Sequence, residues 1–259
     1  MRMMKKVLGT VTVLALSVSL LAGCGSTAVS PVSSTASTVA ESTTSSVVSE
    51  TTSAAADENA AAAAQLLNDL TGSYQELWPV ILADEYQQTW LDNCTALVGE
   101  ENAEAAFEKL SSMVTGDVYG EDAVKAYANG GGAYFCGFTN SLAILTFDGE
   151  TSTISGTDKD GNVLFSHTYH YIGMEPVRGL YEFQSDDADS GEFTYFFLAP
   201  DTSAETYHIE FRYGSDADAL SQYDAGDYAY WLASGISTDC DQTMIDNCIE
   251  LFCTENLAG

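Results

Sequence analysis

The sequence predicts a mainly β domain, an antiparallel barrel or sandwich with short helices before it and one helix after it. Between residues 133 and 213, apolar and polar residues alternate with the two-residue period of strands in six short runs separated by turn signals. Before and after that region, apolar residues recur at the three- and four-residue spacing of helices. Short strands at such regular spacing are typical of barrels and sandwiches. The predicted strands are residues 133–138, 141–147, 163–172, 179–184, 192–198 and 206–213.

The predicted helices flank this strand-rich region. Residues 59–98 are dominated by helix formers, and Pro79 interrupts their apolar spacing, so we expect several short helices there. A further helix is predicted over residues 102–113, and three glycines at 130–132 end the helical region. Near the C-terminus, Asp239 has the position of an N-cap because apolar residues follow it at helical spacing. We therefore expect a closing helix that packs on the barrel.

The first 23 residues have the layout of an export signal. Arg2, Lys5 and Lys6 precede an apolar run over residues 7–22, which is too short and too abruptly ended for a good membrane-spanning helix. The run leads into Leu-Ala-Gly-Cys, which resembles a bacterial lipobox, so Cys24 is predicted to carry lipid that anchors the protein without spanning the membrane. The alternative is an ordinary secretory signal with a chance cysteine. The predicted location is the extracellular face of the cell membrane.

Composition divides the rest of the chain in two. Residues 24–56 are almost entirely Ser, Thr, Ala and Val and contain no aromatic residue, which predicts a disordered tether. Residues 57–259 carry all 14 Tyr and all 11 Phe and are long enough for one domain with a core. Without the signal, 5 basic and 38 acidic residues leave a formal net charge of −33. That charge disfavours nucleic acid and anionic surfaces as partners and suits cations.

Five cysteines remain besides Cys24, which is an odd number for an exported protein. None of them forms a Cys-x-x-Cys pair, and Cys248 and Cys253, five residues apart, do not have the spacing of a cysteine metal site. We therefore expect a structural disulfide or two, and at least one cysteine that is free or pairs between chains.

Candidate metal ligands centre on the last predicted strand. There His208, Glu210 and Arg212 project from one face, while the apolar residues between them face the core. An imidazole and a carboxylate two residues apart on a strand can share one zinc ion, although Arg212 could instead form a plain ion pair with Glu210. Of the other histidines, His170 lies on the polar face of its strand, either solvated or lining a cavity. His167 shares a face with aromatic residues and is expected to be packed or hydrogen-bonded in the core.

No sequence motif indicates catalysis. The sequence has no Gly-x-Ser-x-Gly, no cysteine in a recognisable nucleophile context and no glycine-rich phosphate loop that opens a helix. The Asp-Lys-Asp-Gly of residues 158–161 lacks a downstream glutamate at the spacing of a calcium loop, so it is predicted to be a hairpin turn. We therefore expect a binding protein rather than an enzyme.

Three segments together resemble the ZinT (YodA) family of exported bacterial proteins, which bind zinc or cadmium on a calycin or lipocalin-like barrel. Residues 67–79, LNDLTGSYQELWP, are similar to the family's opening helix motif, with its Asp, Gly, Gln and Pro in place. Residues 193–200 resemble the strand that leads to the family's Ala-Pro turn, and residues 207–220 resemble the strand and Gly-Asp segment that follow. In order and spacing, the match spans most of residues 57–259.

The resemblance implies a zinc site of three histidines, one just before the Ala-Pro turn and two in a His-x-His on the next strand. This chain departs from that pattern. The position before the turn is Phe196, and the His-x-His falls on residues 208–210 or, with a shorter spacing, on residues 206–208. Two of the three imidazoles are therefore missing, which implies a weakened or altered site at His208 and Glu210.

Three functions remain open from the sequence. The resemblance implies a surface-anchored zinc-binding protein that captures metal or passes it to a metal importer. Because zinc takes at least three protein ligands, His170 would complete the site if the strands bring it across the barrel. Alternatively, the barrel has lost its metal and binds a small or peptidic ligand in an aromatic-lined interior, or it is a non-catalytic interaction module of the cell envelope. Affinity for a divalent metal ion separates the first function from the other two.

Overall fold

The computed structural model describes residues 58–114, 134–200 and 205–258. Eight strands lie in these residues: β1 (Gly72–Glu76), β2 (Ile144–Asp148), β3 (Thr153–Thr157), β4 (Val163–Met174), β5 (Tyr181–Ser185), β6 (Tyr195–Leu198), β7 (His208–Gly214) and β8 (Ala233–Ser237). Each strand pairs antiparallel with the next along the chain, and β1 pairs antiparallel with β8, so the sheet closes into a barrel. The predicted antiparallel barrel with flanking helices is confirmed, and it is a closed barrel rather than a sandwich.

Among the described residues, one helix precedes β1, three lie between β1 and β2, a single helical turn lies between β7 and β8, and the longest helix follows β8. They are α1 (residues 58–69), α2 (Leu77–Ile81), α3 (Gln87–Val98), α4 (Ala103–Ser112), α5 (Ala217–Leu220) and α6 (Gln242–Leu257). Single 3-10 turns occupy Asp84–Tyr86, Glu100–Asn102 and Gly191–Phe193. Within the described residues, no helix combines the length and the apolar character that a membrane crossing requires.

Aromatic side chains fill the inside of the barrel. Phe165 stacks on Phe193 with ring centroids 3.9 Å apart, and the rings of Phe196 and Tyr213 lie 5.4 Å apart. Gly156 on β3 makes room for this packing, because a Cβ at that position would lie 2.4 Å from the ring of Phe165. Phe196 and Tyr213 are fully buried. The interior is therefore a close-packed core of interlocking rings.

A second core lies outside the barrel, where α2, α3, α4 and α6 pack together against β8. Trp90 of α3 is fully buried there and donates a hydrogen bond from Nε1 to the main-chain oxygen of Ile81 at 2.7 Å. Trp78 of α2 lies edge-on to Phe252 of α6, with ring centroids 4.6 Å apart. The predicted helix over residues 102–113 is confirmed as α4. Together these helices hold α6 beside the outer face of the barrel.

Three strands differ from the sequence prediction. The sequence predicts helix across residues 72–76, where the structure has β1. This strand is only five residues long and lies between two helices, so its sequence shows no clear two-residue alternation. Its conformation depends on pairing with β2 and β8. The strands β3 (TISGT) and β8 (ASGIS) are not predicted either, because they contain few bulky residues and therefore lack a local strand pattern. Conversely, residues 134–138 form no strand, only an isolated bridge between Phe135 and Trp231.

Two aspartates organise local turns of the backbone. The N-cap of α6 is Asp241 rather than the predicted Asp239, because the carboxylate of Asp241 accepts a hydrogen bond from the main-chain N–H of Met244 at 3.0 Å. Both aspartates precede the same apolar spacing, so only the path of the backbone distinguishes them. The turn predicted at residues 158–161 is confirmed, since Asp158 accepts hydrogen bonds from the main-chain N–H groups of Asp160 and Asn162.

The five cysteines of the described residues are all free thiols, so the predicted structural disulfides are not formed in this structure. Four of them are buried in the helical layer outside the barrel, where a thiol packs as a small apolar side chain. Sequence spacing could not reveal this burial. The predictions for residues 1–57, including the export signal, the lipidated Cys24 and the tether, lie outside the described residues, as does the glycine run at 130–132.

Candidate metal centre

The strand β7 presents two different faces, as its sequence predicts. Ile209, Phe211 and Tyr213 point into the barrel and are at most 2% exposed. His208 and Glu210 alternate with them and are half-buried on the outer face. Residue 207, predicted on the core face, instead precedes the strand. The two candidate ligands from this strand are therefore side by side on the outside of the barrel, next to the helical layer.

The sequence left open an ion pair between Arg212 and Glu210, but the Arg212 side chain has other partners. Its guanidinium is fully buried and donates hydrogen bonds to the main-chain oxygens of Leu220 and Tyr228. Its Cζ atom also lies 4.3 Å from the centroid of the Tyr223 ring, which is a cation–π contact. Burial lowers the pKa of the Arg212 guanidinium from its usual value. Arg212 therefore holds the segment after α5 against the barrel.

A surface cleft of about 500 Å³ runs between β7 and α6. Glu205 and Glu210 line its barrel side, and Glu250 and Glu255 line its helix side. The full lining is Glu205, Thr206, His208, Glu210, Asn247, Glu250, Leu251, Thr254 and Glu255. Four carboxylates and one imidazole thus border one cleft, which makes it an acidic, cation-attracting surface.

A smaller cavity of about 30 Å³ shares part of this lining. It is bordered by His208, Glu210 and Glu255, and also by Cys248. Its remaining lining residues are apolar or aromatic: Leu77, Trp78, Ile81, Leu251 and Phe252. This volume is sufficient for at least one water molecule or one small ion.

Thr206 connects the cleft to α6. Its hydroxyl oxygen lies 2.6 Å from His208 Nδ1, which fixes the orientation of the imidazole ring. Its main-chain oxygen accepts a hydrogen bond from the Cys248 thiol at 3.2 Å. One residue earlier, the main-chain oxygen of Glu205 accepts a hydrogen bond from Asn247 Nδ2 at 2.8 Å. Burial raises the pKa of the Cys248 thiol to about 12, so the side chain is a neutral thiol at physiological pH.

His170 lies elsewhere on the barrel. It projects from β4, which β5 and β6 separate from β7. Its side chain is 53% exposed, and Nδ1 lies 2.7 Å from Asp186 Oδ1. The structure thus brings His208 and Glu210 together and does not bring His170 to them. His167 matches its prediction, because it lies against Phe165 with ring centroids 5.9 Å apart and hydrogen-bonds Asp187.

The position where the ZinT pattern has its first histidine is also distant from the cleft. Phe196 is fully buried inside the barrel, where its ring packs against those of Tyr169 and Tyr213. Most of the lining side chains that the sequence did not indicate come from α6. Cys248, Leu251 and Glu255 recur at the three- and four-residue spacing of one helix face. The sequence feature that could have indicated this face is Glu255, an acidic residue in line with apolar positions of the helix.

The donor types around the cleft fit zinc, which takes imidazole, thiolate and carboxylate ligands. Among the residues that the structure describes, however, no three His, Cys, Asp or Glu side chains converge closely enough to hold a metal ion as they stand. Metal binding would therefore require side chains of β7 and α6 to rotate toward each other across the cleft.

Comparison of the sequence with models of known protein families and with curated proteins finds no match. Among solved structures, the chain is similar to the Zn(II)-bound ZinT-like domain of AdcA from Streptococcus pneumoniae, with a TM-score of 0.45 and 14% identity over 71% of this chain and 89% of that one. It is also similar to Zn(II)-bound AdcA from Streptococcus pneumoniae, with a TM-score of 0.43 and 13% identity. That match covers 72% of this chain and 35% of AdcA.

Proposed function

We propose that this protein binds a divalent metal ion, preferably zinc, in the cleft between β7 and α6. His208 and Glu210 are the ligands from the barrel, and Glu255 is the ligand from the helix. One observation carries the proposal: these three side chains line the same small cavity, although Glu255 lies 45 residues after Glu210 in the sequence. Three protein ligands are the number that a zinc site with an open position requires.

The surroundings of the cleft support metal capture. Glu205 and Glu250 add two carboxylates at its border, and the chain without its signal has a formal net charge of −33. Such a field raises the local concentration of cations and speeds their association. The hydrogen bond between Thr206 and His208 orients the imidazole before the metal arrives, as outer hydrogen bonds of ligand histidines commonly do.

The cellular role that we propose is metal capture at the extracellular face of the membrane, with delivery to a metal importer. The lipobox at Cys24 and the Ser/Thr-rich residues 24–56 support this role, because a lipid anchor with a long tether would keep the domain near a membrane transporter. The protein acts as a binding protein and not as an enzyme. A ligand inside the barrel is less favoured, because the aromatic side chains there pack against one another.

Isothermal titration calorimetry of the metal-stripped protein with zinc tests this function. We expect one-to-one binding that weakens at least tenfold in His208→Ala, because His208 carries the only imidazole that borders the cavity among the described residues. His170→Ala is the matched control and should bind as wild type does, since His170 lies on the far side of two intervening strands. Equal losses in the two variants, or no binding by wild type, would contradict the proposed site.

A further inference from the structure

We infer that the Cys248 thiol is a further ligand of this metal centre, so that the site selects thiophilic ions such as zinc and cadmium over hard ions such as magnesium and calcium. This inference rests on the proposed function and extends it, because sulfur changes the class of metal that the site prefers. Thiolate ligands favour soft and borderline metals, whereas magnesium and calcium prefer oxygen ligands.

The position of Cys248 supports this role. It borders the 30 Å³ cavity together with His208 and Glu210. Its Sγ atom lies 3.2 Å from the main-chain oxygen of Thr206, the same residue whose hydroxyl lies 2.6 Å from His208 Nδ1. A single residue therefore bridges the thiol and the imidazole through hydrogen bonds. The thiol reaches the ligands of β7 from α6, the element that also contributes Glu255.

The environment of the cavity favours an ion that gives up its water. Cys248 is only 4% exposed, and Leu77, Ile81 and Phe252 form part of the apolar lining. Magnesium gives up its water reluctantly and usually retains several water ligands, which apolar lining side chains do not stabilise. Zinc in a four-ligand site of nitrogen, sulfur and oxygen donors can be fully enclosed by protein. The cavity therefore disfavours a hydrated hard ion and suits a desolvated thiophilic one.

The binding step balances in protons and bonds. As the metal–sulfur bond forms, the S–H bond of Cys248 breaks, its electron pair stays on sulfur, and the proton leaves to solvent. The hydrogen bond from the thiol to Thr206 is exchanged for the metal–sulfur bond by rotation about the Cα–Cβ bond of Cys248. No oxidant or reductant is required, because neither the metal nor the sulfur changes oxidation state.

Cys253 provides a matched control on the same helix. It is fully buried one and a half turns further along α6 and borders neither cavity of the candidate centre. Its thiol instead makes a hydrogen-bonding contact with Cys94 of α3. A Ser substitution at either position removes one buried sulfur from α6, but only the change at 248 removes a sulfur that borders the cavity.

Titration of the purified metal-stripped protein with Co²⁺, a spectroscopic substitute for zinc, tests the inference. We expect the sulfur-to-cobalt charge-transfer band of a bound thiolate in wild type and in Cys253→Ser. In Cys248→Ser the band should be absent and cobalt affinity at least tenfold lower. Cadmium should displace the cobalt, whereas a thousandfold excess of magnesium or calcium should not.

The outcomes separate this inference from the function on which it rests. One-to-one cobalt binding that depends on His208 but shows no thiolate band would overturn the role of Cys248 and leave the metal-binding function intact. A thiolate band that persists in Cys248→Ser would also overturn it. No cobalt or zinc binding by wild type would overturn both. If Cys248→Ser does not fold, Cys248→Ala takes its place, and a wild-type spectrum without the band overturns the role of Cys248 whichever variant folds.

Discussion

Arg212 has a structural role, whereas the residues that alternate with it on the outer face of β7 line the cleft. It alternates with His208 and Glu210 on the outer face of the strand, yet it is fully buried. Its hydrogen-bond acceptors are main-chain oxygens of residues 220, 222 and 228, and its planar guanidinium lies over Tyr223. A planar group with five donors can satisfy several carbonyls at once, which a lysine ammonium does not do as well.

We predict that Arg212→Met lowers the free energy of unfolding by about 2 kcal/mol or more, because it leaves the buried main-chain oxygen of Leu220 and the partly buried one of Tyr228 without their donor, at about 1–3 kcal/mol for a buried group. Lys109→Met, at an exposed position of α4, is the control and should change stability by less than about 0.5 kcal/mol. Urea unfolding followed by tryptophan fluorescence measures both. Equal midpoints for the two variants would show that Arg212 does not stabilise the segment after α5.

At the scale of elements, α6 matters most, because it supplies one wall of the cleft and one side of the second core. Ile245, Cys248, Ile249 and Cys253 are its buried residues. The helix begins where the Asp241 side chain accepts a hydrogen bond from the main-chain N–H of Met244. An N-cap satisfies a donor that has no partner within the helix, so the start of α6 depends on this one carboxylate.

We expect Asp241→Ala to lower the free energy of unfolding by about 1 kcal/mol, the usual value of an N-cap. Asp239→Ala tests the position that sequence spacing alone suggested, and it should change stability by less than about 0.5 kcal/mol because Asp239 is exposed and is not the cap. Thermal unfolding monitored by circular dichroism compares the two. If Asp239→Ala proves the more destabilising variant, the helix begins earlier than the structure has it.

At the scale of the whole molecule, two cores meet at the wall of the barrel, and the outer one encloses most of the thiols. Burial raises the pKa values of Cys136, Cys248 and Cys253 to about 12, and for Cys136 the charge of Glu210 adds to the effect. An unfolded cysteine titrates near pH 8.5, as model peptides do. The folded protein therefore retains protons that the unfolded chain releases in mildly alkaline solution.

This difference predicts that the protein loses stability as the pH rises from about 9 toward 12, by up to about 1.4 kcal/mol per pH unit for each of the three thiols. The sign follows from proton binding: above pH 9 the unfolded chain binds fewer protons than the folded one, so deprotonation favours unfolding. Below pH 8 the three thiols add no pH dependence. Urea unfolding between pH 7 and 10 measures the slope.

Cys253→Ala is the control for the alkaline slope. It should reduce the slope of the free energy of unfolding against pH by the contribution of one thiol. This holds whatever the absolute stability of the variant, because the slope reports proton binding and not packing. A wild-type free energy of unfolding that stays constant from pH 8 to 10 would contradict the burial of these thiols. An unchanged slope in Cys253→Ala would contradict the contribution of Cys253 alone.

Strand faces, the turn at Asp158 and the helix over residues 103–112 followed from the sequence, because they depend on spacing within a few residues. The strand β1 did not, since five residues between two helices acquire their conformation from pairing with β2 and β8. For the candidate site, the sequence indicated the two candidate ligands on β7, His208 and Glu210, which the structure places side by side. It assigned the third to His170, which lies on β4 and hydrogen-bonds Asp186.

The sequence by itself determined that His208 and Glu210 stand side by side on a strand whose other face is core, and that the chain is strongly acidic. Only the tertiary structure decided which side chains meet them. That choice depends on closure of the barrel and on how α6 packs against β7, which places Cys248 and Glu255 beside His208 from 40 and 47 residues further along the chain. Local spacing carries no information about contacts at such separations, because they arise from the packing of whole elements.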